Sequence, residues 1–517
     1  MNYDYIIVGA GMSGLTVGSL LAKAGKRVCI LEAHEYPGGC CHSFKKGEYT
    51  FCASVHYIFF AGEGQPVHNF LKKLGLEKEI TFERLDPEGY DIFSCPTEGL
   101  RCAIPNGLEN WRDRLIANFP EDQKALSLFF KIIFNLVKDF YHMPYDISII
   151  GLMKLAYKTP SIFKFRKWTL QDLFNHCGLS LRVQAVLATQ LGDVAEPPKH
   201  ISLIIYAALI WSYGRGAYYP TKHFHTFIDT IANTIETSPG SKIHYNTEIV
   251  KVEREGHQIS KVISKSGECF QAPVIICNMD PQKFVKMMDQ NDLPTSFSKR
   301  VDYDYSVSAL TLFLGVQGLN LRDYGFGKGN IWHYPHLDIN RIYEGQHEKR
   351  NLSDPWFFMS TPTLYSPASE PRIAPRGEEI LEVVTTCPYE LFRQKLNESH
   401  QAYVLFKNEI RDRILDLIEA HYIPNFKEHV VLKVVGTPTT HERYLWAPHG
   451  NIYGSALTPK NVDFSRLKFR SPIKNLFFTG ATVEFPGIGA TVMAGTRLYT
   501  YLTNDVVHPG KNFNDLI

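Results

Sequence analysis

The sequence predicts an α/β fold that begins with a Rossmann-like dinucleotide-binding unit. An apolar run at residues 5–8 leads into the pattern Gly9-x-Gly11-x-x-Gly14, a helical segment follows, and a second apolar run ends on Glu32. Uninterrupted apolar runs are typical of parallel strands that are covered on both faces. The order of strand, glycine turn, helix, strand and acid is that of a mononucleotide-binding half-unit.

Each glycine of this turn has its own predicted role. Gly9 permits the tight turn, Gly11 lets a pyrophosphate approach the backbone, and Gly14 lets the helix lie close to the strand. The free N–H groups and positive dipole end of the helix then face the pyrophosphate. The predicted cofactor contacts of this unit are Gly9, Gly11, Met12, Ser13, Gly14, Glu32 and Ala33. A glycine-rich turn in a purely structural α/β unit is the alternative.

The acid at the end of the second strand bears on the type of dinucleotide. Glu32 is placed to accept hydrogen bonds from a ribose 2′-hydroxyl and would repel a 2′-phosphate. The sequence therefore favours FAD or NAD over NADP.

Length and composition limit the class of protein. A chain of 517 residues is expected to form two or three interleaved domains. A net charge of +2 with 21% charged residues argues against a nucleic-acid partner and against a disordered tail. The hydrophobic share of 44% and aromatic share of 13% suit a large core with an apolar cavity.

Targeting and cysteine usage indicate a reducing compartment. Because the first strand begins near residue 4, there is no room for a signal peptide before it, so we expect a cytoplasmic protein, with peripheral membrane association as a further option. The ten cysteines are scattered and are expected to be free thiols, with no metal site. No apolar run is long enough to span a bilayer.

A second glycine-rich stretch, GGCCHSF at residues 38–44, follows the acid. Two glycines and small polar residues suit a loop that wraps the ribityl and phosphate part of a cofactor, which FAD enzymes commonly have and NAD enzymes do not need. The predicted contacts here are Gly38, Gly39, Cys40, His42 and Ser43.

GGCCHSF, together with SVHYI at residues 54–58, resembles the flavoprotein superfamily of phytoene desaturases, carotenoid isomerases and retinol saturases, most closely the retinol saturase branch. The resemblance implies FAD and a cofactor domain of the glutathione-reductase and amine-oxidase type. It implies desaturation, saturation or isomerisation of C=C bonds in an apolar isoprenoid, such as a carotenoid or retinoid, or another long polyene. It also makes His56 the candidate catalytic side chain; a hydrogen-bonded packing histidine is the alternative.

The C-terminal landmark is a predicted strand at residues 475–479, a crossing loop and an apolar helix that begins near Ile488. The N-terminus of that helix would face the N1–O2 edge of an isoalloxazine ring. FPGIG resembles carotenoid isomerases, whose acid after the glycine is replaced here by Ala481-Thr482. The hydrogen bond of that acid to the ribityl chain would come from Thr482 or from water, or would not be made at all. The predicted contacts are Gly480, Thr482, Gly487, Ile488 and Gly489, and the resemblance adds Val250 as an adenine contact through its main chain.

These landmarks divide the chain. Residues 1–64, 200–285 and 470–517 are predicted to form the FAD-binding domain, residues 65–199 a helical insertion that faces substrate or membrane, and residues 286–469 a substrate-binding domain with a sheet. Fold class is therefore α/β, with the Rossmann-like domain assembled from three segments beside an α+β substrate domain.

A basic and aromatic segment at residues 154–170 lies within the insertion. Cations interleaved with aromatic rings suit a membrane interface, where rings sit at headgroup depth and cations meet anionic lipid. A basic segment that is merely solvated is an equally weighted alternative. Its cations are Lys154, Lys158, Lys164, Arg166 and Lys167, and its rings are Phe163, Phe165 and Trp168.

Two other functions share the same scaffold. One is a flavin oxidase of amines or amino acids, and the other is a non-catalytic binder of prenyl or lipid groups, as in Rab escort proteins, which the intact glycines and Glu32 disfavour. No second GxGxxG is present for a nicotinamide, so a separate electron donor or acceptor is an open option.

Overall fold

The computed structural model describes residues 3–142, 157–327, 329–462 and 465–507. Its first layer is a five-stranded, all-parallel sheet with Tyr5–Val8 at the centre, between Val28–Leu31 and Val274–Cys277. The two outer strands are Lys242–His244 and Leu476–Phe478. The central strand is almost fully buried, as its continuous apolar sequence predicts.

The strands of this sheet come from three distant parts of the chain, near residues 5–31, 242–277 and 476–478. The helix Met12–Lys23 crosses one face and packs against His223–Glu236 and Ile488–Thr503. A Cβ on Gly495 would lie 2.7 Å from Thr16 Cβ, so the two long helices are in close contact. The predicted fold class, a Rossmann-like domain built from three segments, is confirmed.

A second, mixed sheet of seven strands forms the floor of the other domain. Asn330–His333 runs parallel to Asp91–Cys95, and the remaining pairs are antiparallel. In order across the sheet the strands are Val430–Gly436, Ser308–Gln317, Glu378–Cys387, Phe357–Ser360, Asn330–His333, Asp91–Cys95 and Leu100–Ile104.

The insertion predicted to be helical at residues 65–199 differs from that expectation at its start. Asp91–Cys95 and Leu100–Ile104 are strands that extend the large sheet. These two short segments pair with each other, and the first also pairs with the distant strand Asn330–His333. No local sequence pattern reveals this long-range pairing. The helices of this region are Pro66–Leu74, Leu108–Asn118, Gln123–Phe140, Pro160–Phe165, Leu170–Cys177 and Leu181–Leu187.

Three smaller sheets and the remaining helices complete the described chain. The small-sheet strands are Ser43–Lys46, Tyr49–Cys52, Ile58–Phe59, Phe82–Arg84, Ala217–Pro220, Ile249–Glu255, Gln258–Ser264 and Cys269–Phe270. The remaining helices are Leu203–Gly214, Pro281–Lys286, Thr295–Val301, Ile339–Tyr343, Pro362–Tyr365, Tyr389–Glu398, His400–His421, Phe426–His429 and Pro438–Leu445. Within the described ranges, no helix has both the length and the apolar character to cross a membrane.

Candidate active site

The glycine turn after the central strand is closely packed at two of its three glycines. Gly9 has a φ of 102°, in the left-handed region that favours glycine. A Cβ on Gly14 would lie 2.5 Å from the Gly9 carbonyl oxygen, so any side chain there would push the helix away from the strand. The turn therefore holds the helix N-terminus directly above the end of the sheet.

Asn278 holds the same turn from the neighbouring strand. Its Nδ2 group donates to the Gly9 carbonyl oxygen at 3.1 Å, and a Cβ on Gly11 would meet that nitrogen at 2.9 Å. The sequence analysis missed this residue. Its position just after the buried strand Val274–Cys277, at the carboxyl end of a parallel sheet, is the signal that could have found it.

Glu32 is buried, and both of its carboxylate oxygens accept hydrogen bonds from nearby backbone N–H groups. Oε2 accepts the Ala10 N–H at 2.6 Å, and Oε1 accepts the His34 N–H at 2.8 Å. Burial raises the pKa of Glu32, and these backbone N–H groups act in the opposite direction. The carboxyl also lines the cavity described below, where its remaining lone pairs are available to hydroxyl donors.

The second glycine loop lies against the first. The N–H of Gly38 donates to the Ala10 carbonyl at 2.8 Å, and a Cβ on Gly39 would lie 3.1 Å from Gly11 Cα. His42 Nδ1 lies 2.7 Å from the Gly39 carbonyl oxygen, and burial lowers the pKa of His42 to about 4. The histidine is therefore neutral at physiological pH and fixes the loop through a hydrogen bond.

Two helix N-termini face this region without side-chain caps. The N-cap residue of the helix Met12–Lys23 is Gly11, and that of the helix Ile488–Thr503 is Gly487. Neither helix has an acid in its first turn. Free N–H groups and an uncompensated positive dipole end favour negative charge at both places. Ser13 Oγ and Thr479 Oγ1 lie 2.5 Å apart and tie the first helix to the strand that precedes Gly480.

A single cavity of about 1260 Å³ connects the glycine turn with the interior of the second domain. This volume exceeds the ~300–1000 Å³ of an ordinary ligand pocket, which leaves room for a dinucleotide and a second molecule. Its far end is aromatic and apolar, with walls from both sheets and from the buried helix Leu203–Gly214. The residues of this aromatic wall are Tyr57, Phe59, Trp211, Tyr213, Trp332, Trp356, Phe358 and Tyr453.

Most of the predicted cofactor residues line this cavity together. They are Gly9, Gly11, Met12, Ser13, Glu32, Ala33, Gly38, Gly39, Cys40, His42, Gly480, Thr482, Gly487 and Ile488. Convergence of residues from the start and the end of the chain is what a shared cofactor site requires; their individual contacts stay predictions.

Four predicted contacts lie outside the cavity wall. Gly14 and Gly489 are occupied with packing, since a Cβ on Gly489 would lie 2.8 Å from the Phe59 carbonyl oxygen. Ser43 lies in a short hairpin strand behind the glycine loop. Val250 is 42% exposed, and the cavity is lined instead by the residues just before it, 247–249. An adenine contact at this strand would therefore come from those residues.

His56 lines the cavity and forms a close pair with a buried acid. Its Nδ1 lies 2.6 Å from Oε2 of Glu382, which is fully buried on the large sheet, and its ring lies 5.5 Å from that of Phe358. Glu382 was not found from the sequence because its strand contains two other glutamates, and no local pattern shows which of the three reaches His56. The catalytic role of His56 stays a prediction.

The described chain offers no cluster of three or more histidine, cysteine, aspartate or glutamate side chains that could hold a metal ion. All ten cysteines are free, and seven of them are buried. The recognisable chemistry of the site is therefore that of the glycine loops, the two helix ends and the aromatic wall.

Comparisons with known proteins agree with this geometry. Residues 7–74 match the family of NAD(P)-binding Rossmann-like domains. The chain is 24% identical to an all-trans-retinol 13,14-reductase of Danio rerio, covering 98% of this chain and 87% of the relative. It is 25% identical to a chloroplastic prolycopene isomerase of an Oncidium hybrid cultivar, covering 95% of this chain and 82% of the relative.

Solved structures show the fold. Putrescine oxidase bound to putrescine superimposes with a TM-score of 0.67 at 12% identity, over 98% of this chain and all of the other. The Rossmann-like sheet and this superposition show that the chain has the amine-oxidase type of fold. Over almost its whole length the chain is similar to retinol reductases and carotenoid isomerases, the resemblance that GGCCHSF and SVHYI indicated.

Proposed function

We propose that this protein is an FAD-dependent oxidoreductase that acts on a C=C bond of an apolar isoprenoid polyene, in the direction of saturation. The observation that carries the proposal is the single cavity that joins two uncapped helix N-termini to a closed aromatic wall. The printed activities of the relatives, reduction of retinol and isomerisation of prolycopene, support a retinoid-like or carotenoid-like substrate.

The residues present fit FAD. The space above Gly11 and the first turn of Met12–Lys23 would hold the pyrophosphate, and Glu32 would hold the adenosine ribose. The N-terminus of Ile488–Thr503 would stabilise negative charge at the flavin pyrimidine edge. When bound, FAD supplies hydride transfer at its N5 position. The aromatic wall orients the polyene and excludes water, which is the protein's own contribution to the step.

A direct assay tests the proposal. Purified protein should be yellow with a flavin spectrum, and after chemical reduction it should be reoxidised without oxygen by all-trans-retinol or a carotenoid, with a product two hydrogen atoms heavier. Colourless protein that FAD does not reconstitute would contradict it and favour a lipid binder. Peroxide production with amines and no effect on polyenes would identify an amine oxidase instead. The chemical reductant stands in for a separate electron donor.

We also propose contact with an anionic membrane through the basic segment. Residues 154–156 of the predicted segment lie outside the described residues. Tyr157 is 89% exposed, and Lys164 and Lys167 are exposed, whereas Phe165 packs inward. The rings are therefore less available than the sequence predicts, and the cations carry the proposal. Ile162, which precedes both lysines in the chain, lines the cavity. The apolar end of the cavity therefore lies beside this basic surface.

We expect Lys164→Glu/Lys167→Glu to weaken binding to anionic vesicles at least ~30-fold, because each cation near such a surface contributes about 1 kcal/mol. Flotation with vesicles containing phosphatidylserine measures it. Lys72→Glu/Lys78→Glu, which makes the same charge change at two exposed lysines outside the segment, is the control. Equal flotation of both double variants would contradict membrane contact at this place.

A further inference from the structure

Two aspartates and one tyrosine form a buried cluster at the aromatic end of the cavity. The Tyr57 hydroxyl oxygen lies 2.9 Å from Oδ2 of Asp91 and 2.6 Å from Oδ2 of Asp193. Asp91 belongs to the large sheet, and Asp193 follows the last helix of the insertion. Sequence analysis singled out neither acid, since they are 102 positions apart in the chain.

The two oxygen–oxygen distances in this cluster indicate that one carboxyl is protonated. A tyrosine hydroxyl carries one hydrogen, and an ionised carboxylate carries none. Because both contacts have the length of O–H···O hydrogen bonds, one carboxyl must donate to Tyr57 while the other accepts. Asp91 also accepts the Gln190 Nε2 amide at 2.8 Å and the Asn330 Nδ2 amide at 2.9 Å. These N–H donors stabilise the ionised form of Asp91, so Asp193 carries the proton.

The surroundings agree with this assignment. Burial raises the pKa of Asp91 to about 7 and raises the pKa of Asp193 well above its usual range. The negative charge of Asp91 also raises the pKa of Asp193. The titratable side chains that interact electrostatically with the pair are tyrosines, each kept neutral by burial. They are Tyr57, Tyr90, Tyr213, Tyr334, Tyr343, Tyr365 and Tyr453.

Asp193 reaches the cavity, whereas Asp91 lies behind it. Asp193 and Tyr57 line the cavity, and Asp91 is fully enclosed. The preceding residue, Gly192, lies so close to the aromatic wall that a Cβ there would be 2.5 Å from both Trp332 and Trp356. A polyene that enters the aromatic end therefore passes beside the Asp193 carboxyl.

We propose that Asp193 is the acid that protonates the substrate carbon, with Tyr57 and Asp91 as positioning residues. This inference rests on the proposed function. In a saturation, one alkene carbon would receive a hydride with its electron pair from a reduced flavin held at the glycine turn, and the flavin would be oxidised. The Asp193 O–H bond breaks and a C–H bond forms at the adjacent carbon, so the alkene gains two hydrogen atoms. The new carboxylate is reprotonated from water when the product leaves.

Tyr57 has a defined part in this step. Its ring is fixed by stacking on Tyr213 at 4.6 Å and on Phe358 at 5.8 Å. Before transfer its hydroxyl donates to Asp91, and after transfer it can rotate to donate to the newly ionised Asp193. One hydroxyl within hydrogen-bond distance of both carboxyls thus stabilises the charge that the acid acquires.

Asp193→Asn, which keeps the size of the side chain, tests the assignment in the flavin-loaded protein. We expect normal flavin content and normal chemical reduction, but reoxidation by the polyene slowed roughly 10²- to 10⁴-fold, the usual contribution of a general acid. The infrared spectrum of the substrate-free variant should lack one carbonyl band of a protonated carboxyl that the wild-type spectrum contains. Glu196→Gln is the matched control: Glu196 is buried with its pKa raised to about 8, but it does not line the cavity.

The outcomes separate this inference from the proposed function. Wild-type protein that no polyene reoxidises would overturn the proposed function. An active wild type with an equally fast Asp193→Asn variant, or an unchanged infrared spectrum in that variant, would overturn only the assignment of Asp193. If Asp193→Asn loses flavin, Tyr57→Phe supplies the measurement: removing the hydroxyl should shift the same carbonyl band, and an unshifted band overturns the proposal.

Discussion

Gly11→Asp should yield folded protein that purifies without flavin. An aspartate at this position would place a carboxylate beside the predicted pyrophosphate site, at the helix end that favours anions. An uncompensated charge in a buried site costs about 3–5 kcal/mol, or roughly 10²- to 10⁴-fold in affinity. Visible absorbance of the purified protein and titration with free FAD measure the loss.

The control for Gly11→Asp is Gly327→Asp. Gly327 has open space where a Cβ would lie and has no positive φ, so the same substitution there adds the same charge without strain. Circular dichroism should show that both variants keep the native helix content. A yellow Gly11→Asp protein with wild-type affinity for FAD would show that the cofactor does not bind at the glycine turn.

Ala208→Phe should slow the turnover of long polyenes while leaving the flavin in place. Ala208 lies on the helix Leu203–Gly214 and lines the apolar part of the cavity, away from the glycine turn. A phenyl ring there fills space that the substrate needs, and overpacking of this kind costs about 1–3 kcal/mol, or roughly 10- to 100-fold in kcat/KM. Steady-state kinetics with a carotenoid and with a shorter retinoid measures it, and the longer molecule should lose more.

Leu405→Phe is the companion variant for Ala208→Phe. Leu405 is 63% exposed on the helix His400–His421, so enlarging it should leave kinetics and flavin content unchanged. Equal losses for long and short substrates in Ala208→Phe, or no loss at all, would show that the polyene does not occupy this part of the cavity.

The sequence could predict the Rossmann-like unit because its signals are local. An apolar strand, three glycines at fixed spacing and Glu32 lie within 28 residues, and each has a direct steric or electrostatic reason. The C-terminal helix was predictable for the same reason, since the residues before Ile488 contain the glycine that begins it.

The polar residues deep in the cavity could not be predicted in the same way. Asn278, Glu382 and Asp91 each stand in or beside an apolar strand, and their meaning depends on which strand lies next to them. Asp91 matters because its strand pairs with Asn330–His333, more than 200 positions away. Such pairings are set by tertiary packing, and local patterns do not encode them.

The order in which the five parallel strands occur in the chain has a consequence for biosynthesis. The outer strand Leu476–Phe478 and the helix Ile488–Thr503 are synthesised long after the strand at the sheet centre, because they follow it by most of the described chain. Closing loops of this length is entropically costly and slow. The five-stranded sheet, and the part of the cavity wall formed by Gly480 and Gly487, can therefore be completed only after Leu476–Phe478 has been synthesised.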